Sequence, residues 1–225
     1  MPRKPAAPED LSDKKALALE VIARLKKEYP DAACTLDYDH AWQLLVSVRL
    51  AAQCTDARVN IVVEDLFAKY PSVAALAAAE PEEIEAIVKP CGLGHSKARD
   101  ISACMRMLRD KYDCKVPTTF EELLSLPGVG RKSANLIMGD VFGKPAIVTD
   151  THCIRLCNKI GLVDGIKEPQ KVEMALWKII PPEEGNDLCH RFVMHGRAVC
   201  NARKPECEKC CLRDICRYAR ENAAT

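Results

Sequence analysis

Four cysteines lie close together near the end of the chain, in a segment without a run of apolar residues. Their spacing is C-x6-C-x2-C-x5-C, and they are Cys200, Cys207, Cys210 and Cys216. Thiolates are soft anionic ligands, and four of them would repel one another without a cation between them. The segment is therefore predicted to fold around a metal centre.

Two kinds of centre bind four thiolates, a zinc ion and an iron-sulfur cluster. Zinc modules usually pair two C-x2-C units, and this segment has a single one, from Cys207 to Cys210. The spacing favours a 4Fe-4S cluster, with zinc as the alternative. Cys211 offers a second register from Cys207, but we treat it as a bystander.

The other cysteines, from a total of thirteen in 225 residues, show no regular framework. Such a scatter is typical of small buried apolar residues rather than of disulfides. The N-terminal residues are charged and lack the apolar core of a signal peptide. We therefore expect a cytoplasmic protein with reduced cysteines and without a membrane segment. It would associate with the nucleoid only by binding DNA. Residues 1–13 are expected to be flexible, and no pattern suggests an oligomer, so we expect a monomer.

Apolar residues recur with helical spacing along nearly the whole chain. In one segment Ala98, Ile101, Met105, Leu108 and Tyr112 share a face. Proline and glycine punctuate the segments. The pattern predicts an all-α fold, with helices at residues 41–53, 56–70, 81–88, 96–115, 120–126, 131–142, 151–160, 169–180 and 186–200.

Charge is distributed unevenly, although the formal net charge is only +1. Residues 190–220 carry eight Lys or Arg against three Asp or Glu. A basic segment of this kind is compatible with phosphate binding, and a solvated surface is the alternative.

The second strong signal is the sequence LPGVGRK at residues 126–132. It lies between a helix that a capping box of Thr118 and Glu121 would open and a helix that begins at Arg131. Its two glycines allow positive φ and a close approach to a ligand, and the N–H groups of the next helix point outward. The segment predicts a phosphate clamp without base readout, with a plain αα-hairpin as the alternative.

Lys132 lies in the first turn of that predicted helix. The positive end of a helix dipole disfavours an ammonium group, so burial there would favour a neutral, nucleophilic amine. Asp150 opens another predicted helix eighteen residues later and would lie beside the hairpin if the two helices pack. Aspartate often caps a helix, and capping is compatible with a catalytic role.

The LPGVGRK hairpin, the aspartate of VTDTH and the four-cysteine tail together resemble endonuclease III, a family of helix-hairpin-helix DNA glycosylases and AP lyases. The resemblance extends from about residue 17 onward and includes AAQCTD at residues 51–56. It implies a two-lobed all-α fold. Residues 34–144 would form a six-helix barrel lobe with the helix-hairpin-helix at about 119–143. Residues 14–33 and 145–225 would form a discontinuous iron-sulfur cluster lobe.

The resemblance also implies base excision repair by a bifunctional DNA glycosylase and AP lyase that removes oxidised pyrimidines. Lys132 would attack C1′ and form a Schiff base, Asp150 would stabilise the cationic sugar, and β-elimination would cut the strand 3′ to the abasic site. The cluster would be structural. It would present Arg203, Lys204 and Lys209 to the DNA backbone.

The implied partner is duplex DNA that contains damaged pyrimidines or abasic sites. Such an enzyme rotates the damaged base out of the helix, and Gln53 and Leu93 match positions that fill the gap. Ordinary loop residues are the alternative for both. The expected DNA-binding residues are Gln53, Leu93, Gly128, Val129, Gly130, Arg131 and His152.

Two other functions remain open. The adenine-removing branch of the superfamily needs a carboxylate where Arg49 stands. It also carries a further C-terminal domain, whereas this sequence stops soon after the cysteine segment. Both features weigh against this branch. A non-enzymatic DNA-binding module with a four-cysteine zinc site would be colourless and would not cut abasic DNA. Arg49 itself either contacts DNA or extends from a helix edge.

Overall fold

The computed structural model describes residues 11–222, and in that range it contains helices and no β-strand. The α-helices are α1 (Leu11–Glu28), α2 (Ala41–Leu50), α3 (Asp56–Lys69), α4 (Val73–Ala78), α5 (Pro81–Val88), α6 (Gly94–Tyr112), α7 (Phe120–Ser125), α8 (Arg131–Asp140), α9 (Thr151–Ile160), α10 (Pro169–Leu176), α11 (Gly185–Ala198) and α12 (Arg217–Asn222). Short 3-10 helices lie at Lys89–Cys91, Pro182–Glu184 and Cys207–Lys209. The predicted all-α class is confirmed. None of the helices in residues 11–222 has the length and apolar character needed to span a membrane.

The chain divides into two compact units. The central unit comprises residues 34–144 and contains α2 to α8. The terminal unit comprises residues 11–33 and 145–222 of the described chain and contains α1 and α9 to α12. Each functional residue is therefore positioned by the helices of its own unit.

The core of the central unit is built around α6, which packs against α4 and α5. On its buried face Ile101, Met105 and Leu108 are at most 2% exposed. Burial of side chains of this size stabilises a fold by ~1.5–3 kcal/mol each relative to exposure. Lys97 lies on the same face one turn earlier and is also fully buried, at 0% exposure. A lysine in such a position requires polar partners inside the protein.

In the terminal unit, α11 packs against α1 and α9. Phe192 of α11, Leu25 of α1 and Leu156 of α9 belong to this core, and each is 0% exposed. Gly196 allows the close approach of α11 to α9, because a Cβ atom there would lie 2.4 Å from His152 Nδ1. The packing of these helices thus depends on a residue without a side chain.

The predicted helix ends are accurate where the capping residues are clear. α9 starts after Asp150 and ends before Gly161, whose φ is +108°. α2 is shorter than predicted and ends at Leu50, since Gln53 has a φ of +56° that no α-helix accommodates. The cap of α7 is Thr119 instead of Thr118, and its side chain accepts a hydrogen bond from Glu122 N at 3.3 Å.

Three helices, α1, α4 and α12, are absent from the predicted ranges. α4 and α12 have six residues each, which is too short for a helical period to be visible in the sequence. α1 begins at Leu11, so residues 11–13 of the expected flexible segment are helical. Residues 1–10 lie outside the described part of the chain.

Candidate functional site

A hairpin of two helices carries the glycine-rich segment in the central unit. α7 ends at Ser125 and α8 begins at Arg131, and residues 126–130 reverse the chain between them. Val129 N donates to Leu126 O at 3.1 Å and closes the turn. The predicted helix-hairpin-helix is therefore present.

The two glycines of this turn have different roles. Gly128 has a φ of +75°, and a Cβ atom there would lie 2.8 Å from Asp100 Cβ. Gly130 is the N-cap of α8 with a φ of −97°, and nothing lies within 4 Å of a Cβ built on it. The expectation of positive φ is thus correct for Gly128 and wrong for Gly130. The space around Gly130 is open, and no side chain caps the start of α8.

Arg49 packs against the turn and forms an ion pair. Its Nε donates to Asp100 Oδ2 at 2.7 Å, and its Nη2 donates to Ser96 Oγ at 3.1 Å. A Cβ atom on Gly128 would lie 3.2 Å from Arg49 Cδ. With only 20% of its side chain exposed, Arg49 is an internal partner of α6 and of the hairpin.

Lys132 lies in the first turn of α8, and its side chain is exposed. The burial considered for this lysine in the sequence analysis is therefore not observed. The guanidinium of the neighbouring Arg131 lies over the Phe120 ring, 4.9 Å from its centroid. This contact joins the two helices of the hairpin and leaves Lys132 extending outward.

Gln53 and Leu93 share an uncommon backbone conformation. Their φ values are +56° and +52°, and both side chains are exposed, Leu93 to 57%. For a residue other than glycine, such a conformation costs ~1–3 kcal/mol and is often found at functional sites. Gln53 follows α2, and Leu93 is the N-cap of α6. Neither residue contributes to the apolar core, so stability alone does not account for their strained backbone conformation.

Asp150 is the N-cap of α9 in the terminal unit. Its Oδ1 accepts a hydrogen bond from Cys153 N at 2.7 Å, which confirms the capping interpretation. The residue is half-buried. Lys132 belongs to the central unit and Asp150 to the terminal unit.

His152, in the first turn of α9, is connected to the cysteine segment through Arg155. Arg155 Nη2 donates to His152 Nδ1 at 3.1 Å and to Cys200 O at 2.9 Å. The same nitrogen lies 3.2 Å from Gly196 O. Arg155 therefore links α9 and α11 to the start of the cysteine segment.

The four thiols of the tail influence one another electrostatically. Burial raises the pKa of the Cys200 thiol, and the nearby Cys216 and Cys207 raise it further. Burial also raises the pKa of Cys210 to about 12, with contributions from Cys216 and Cys200. Thiols in such surroundings ionise readily only when a cation binds them. Within residues 11–222, no three Cys, His, Asp or Glu side chains are gathered closely enough to hold a single metal ion.

A half-buried tyrosine and a buried histidine lie beside Cys210. Tyr29 Oη is 3.1 Å from His195 Nδ1, and His195 Nε2 is 3.3 Å from Cys210 Sγ. Burial raises the pKa of Tyr29 to about 12 and lowers the pKa of His195 to about 4, so both are neutral near pH 7. The tautomer of His195 decides which atom donates in each of these two contacts. Leu212 N donates to the same sulfur at 3.4 Å.

Cys211 has different surroundings from Cys210. Its carbonyl oxygen accepts a hydrogen bond from Arg24 Nη1 at 3.0 Å. Burial raises the pKa of its thiol, followed by the charge of Glu28. Both Arg24 and Glu28 belong to α1, which indicates that Cys211 faces this helix.

Two residues that organise the central unit were not predicted, Lys97 and Asp100. The contact of Asp100 with Arg49 joins positions 51 residues apart, and no local pattern reveals it. Lys97 could have been found, because it lies four residues before Ile101 on the apolar stripe of α6.

The chain is similar to known repair enzymes over most of its length. The family model of the HhH-GPD superfamily base excision DNA repair protein matches residues 46–182. Endonuclease III of Synechocystis sp. is 44% identical over 207 residues, which cover 92% of this chain and 94% of that protein. Endonuclease III of Escherichia coli (strain K12) is 37% identical over 204 residues, which cover 91% and 96%.

The fold is similar to that of a trapped endonuclease III–DNA covalent intermediate, the estranged-adenine complex. The TM-score is 0.88 at 40% identity, covering 93% of this chain and 98% of that chain. These similarities, which extend over the hairpin and the cysteine segment alike, show that the chain belongs to the endonuclease III family of helix-hairpin-helix base excision repair enzymes, which are DNA glycosylases and AP lyases.

Proposed function

We propose that this enzyme removes oxidised pyrimidines from duplex DNA, with Lys132 as the nucleophile. The observation that carries the proposal is the exposed amine of Lys132 in the first turn of α8, directly after the open backbone at Gly130. A nucleophile and a phosphate-binding backbone on one turn can act on the same nucleotide. The similar endonuclease III–DNA structure was trapped as a covalent intermediate, which is consistent with covalent chemistry.

In the proposed reaction, the Lys132 nitrogen forms a bond to C1′, and the bond from C1′ to the damaged base breaks. The base leaves with a proton, and the sugar ring opens to an imine on Lys132. The imine acidifies the C2′ proton. Loss of that proton drives cleavage of the C3′–O bond, and the phosphate leaves with the downstream strand. Water then hydrolyses the imine and frees Lys132.

The hairpin would hold the DNA backbone through main-chain N–H groups. The start of α8 carries the positive end of the helix dipole, and no side chain occupies it as a cap. We propose that Gly128, Val129, Gly130 and Arg131 contact phosphates here. Backbone contacts of this kind position the protein without reading sequence.

Asp150 would act in the transition state, where positive charge develops on the sugar. Its Oδ1 is held by Cys153 N, which restricts the carboxylate to one orientation. An oriented carboxylate stabilises a cation without a cost of reorganisation. His152 would contact the DNA backbone next to it.

Gln53 and Leu93 would fill the space that the flipped nucleotide leaves. Both are exposed and held in a left-handed conformation, and Leu93 is an apolar side chain of which more than half is exposed to water. Insertion between bases would remove this apolar surface from water and replace part of the lost stacking. Binding of the unstacked duplex would thereby be favoured over binding of intact DNA.

Cys200, Cys207, Cys210 and Cys216 would hold a 4Fe-4S cluster. The donor set fits, because all four are thiols within electrostatic reach of one another. The segment has a single C-x2-C unit, which supports the cluster over zinc because zinc modules usually pair two such units. When bound, the cluster would fix the segment that carries Arg203, Lys204 and Lys209.

The test is borohydride trapping on a duplex with one thymine glycol, followed by mass spectrometry of the cross-linked peptide. We expect an adduct on Lys132 and none with Lys132→Gln, which should still bind DNA. Retained strand cleavage by Lys132→Gln would disprove the nucleophile assignment. Asp150→Asn is the matched second variant, since asparagine caps a helix equally well. Asp150→Asn should have the Tm of the wild type, whereas its turnover should be slower by orders of magnitude.

A further inference from the structure

Lys97 is a fully buried lysine with two backbone partners. It lies in the first turn of α6 and is 0% exposed. Its Nζ donates to Leu50 O and to Cys91 O, each at 2.8 Å. No part of the catalytic proposal uses this residue.

The two carbonyl groups explain why a lysine can occupy the site. Leu50 is the last residue of α2, and Cys91 is the last residue of the 3-10 helix Lys89–Cys91. Carbonyls at the end of a helix lack a partner within the helix and carry the negative end of its dipole. Burial lowers the pKa of Lys97, while the thiols of Cys91 and Cys54 oppose that shift. One amine thus satisfies the ends of two helices.

Both helix ends lead directly into the exposed left-handed residues. Gln53 follows Leu50 by three positions, and Leu93 follows Cys91 by two. Residues other than glycine seldom adopt positive φ, and they keep it only where the surrounding structure enforces it. Lys97 lies beneath both segments and is bonded to the backbone at the start of each.

The thiols on either side of Lys97 bring the same two segments together. Cys54 directly follows Gln53, and Cys91 precedes Gly92 and Leu93. Burial raises the pKa of Cys91 to about 11, and a side-chain interaction with Cys54 adds to it. The half-buried Cys54 thiol and the buried Cys91 thiol therefore bring the Gln53 and Leu93 segments next to each other.

We propose that Lys97 is a positioning residue that holds the Gln53 and Leu93 segments in one fixed arrangement for insertion into the DNA helix. The proposal rests on the gap-filling role assigned above to these two residues. The side chains of Gln53 and Leu93 must enter the duplex together, so their relative position determines whether both fit. A tie through the backbone fixes that position before DNA binds, which lowers the entropy that binding must remove.

The experiment compares two dissociation constants for each protein. One duplex contains a single tetrahydrofuran, a stable analogue of an abasic site, and the other is the same sequence without damage. The ratio of the two constants measures the preference for the lesion. For Lys97→Met we expect the ratio to fall by about tenfold or more, as misplacement of a contact group by about an ångström can cause. Affinity for the undamaged duplex, which depends on the hairpin, should change by less than about twofold.

Leu108→Ala is the matched control for lost stability. Leu108 is on the same helix, is 0% exposed, and touches neither carbonyl. It should lower Tm as Lys97→Met does and keep the ratio of the wild type. An equal fall of the ratio in Leu108→Ala would overturn the proposal. If Lys97→Met does not fold, Lys97→Gln takes its place, because glutamine retains an N–H donor. An unchanged ratio in folded Lys97→Gln, with its contact to Cys91 O fully lost, would also overturn the proposal.

Gln53→Ala and Leu93→Ala separate this proposal from the one on which it rests. If both lower the ratio and Lys97→Met does not, the positioning role is wrong while gap filling stands. If neither lowers the ratio, the gap-filling role fails and the positioning role fails with it. A fall in all three variants, with Leu108→Ala unchanged, supports both.

Discussion

Arg49 and Asp100 form an ion pair directly against the hairpin turn, with 2.7 Å between Arg49 Nε and Asp100 Oδ2. Gly128 packs onto both residues, since a Cβ atom there would lie 2.8 Å from Asp100 Cβ and 3.2 Å from Arg49 Cδ. α2, α6 and the turn are thereby held together at one point. The loop proposed to bind phosphate therefore rests in part on a charged pair.

The ion pair should show energetic coupling in a double-mutant cycle. We expect Arg49→Leu and Asp100→Asn each to destabilise the protein, and the double variant to be more stable than their sum predicts. Because the two side chains are 20% and 34% exposed, the coupling should be modest, ~1 kcal/mol. Urea unfolding of the four proteins measures it. Strict additivity would show that the pair contributes nothing to the turn.

The two glycines of the hairpin should respond differently to alanine. Gly128→Ala should destabilise the protein, because positive φ alone costs a residue with a Cβ atom ~1–2 kcal/mol, and the added atom would collide with Asp100. Gly130→Ala should melt close to the wild type, since its φ is −97° and the space around it is open.

DNA affinity should fall in Gly130→Ala, although the stability of this variant should not. Gly130→Ala, although folded, should bind an undamaged duplex severalfold more weakly, because the methyl group would stand where a phosphate approaches. Fluorescence anisotropy with a labelled duplex measures this effect. Wild-type affinity in Gly130→Ala would place the phosphate contact elsewhere on the protein.

The cysteines of the tail should differ in their effect on iron content. Cys207→Ser should lose the yellow-brown absorbance and the bound iron, because one of four ligands is missing. Cys211→Ser should retain both, since Cys211 bonds to Arg24 and faces α1. Visible spectra and iron analysis of the purified proteins distinguish the two. Loss of iron in Cys211→Ser as well as in Cys207→Ser would assign Cys211 as the ligand in the place of Cys210.

Alkaline pH should destabilise the central unit through buried thiols. Burial raises the pKa of Cys104 to about 12 from 9.0, with a smaller contribution from Asp100. Between these values the folded chain keeps a proton that the unfolded chain has lost, so the free energy of unfolding falls as pH rises above 9. At pH 10 this group should account for a loss of ~1 kcal/mol.

Urea unfolding at pH 8 and pH 10 checks this prediction. The decrease between the two pH values should be smaller for Cys104→Ala than for the wild type. Leu108→Ala serves as control, since it removes buried volume from the same helix and no ionisable group. An equal decrease in all three proteins would exclude Cys104 as the source.

Much of the candidate site was visible in the sequence because it depends on local spacing. The hairpin turn between α7 and α8 and the cap of α9 at Asp150 follow from residues within a few positions of one another. The resemblance to endonuclease III, which the comparisons confirm, follows from the order of these motifs. Errors occurred at helix ends without a clear stop, as at the end of α2.

The sequence by itself thus determined the all-α class and the family, and it supplied the residues that we propose carry the chemistry. Only the tertiary structure decided that Lys132 is exposed, that Arg49 pairs with Asp100, and that Lys97 joins two helix ends. The physical reason is that helical period and capping act over a few residues. Burial and buried polar contacts are determined by segments that meet only when the chain is packed, as Lys97 and Leu50 do across 47 positions.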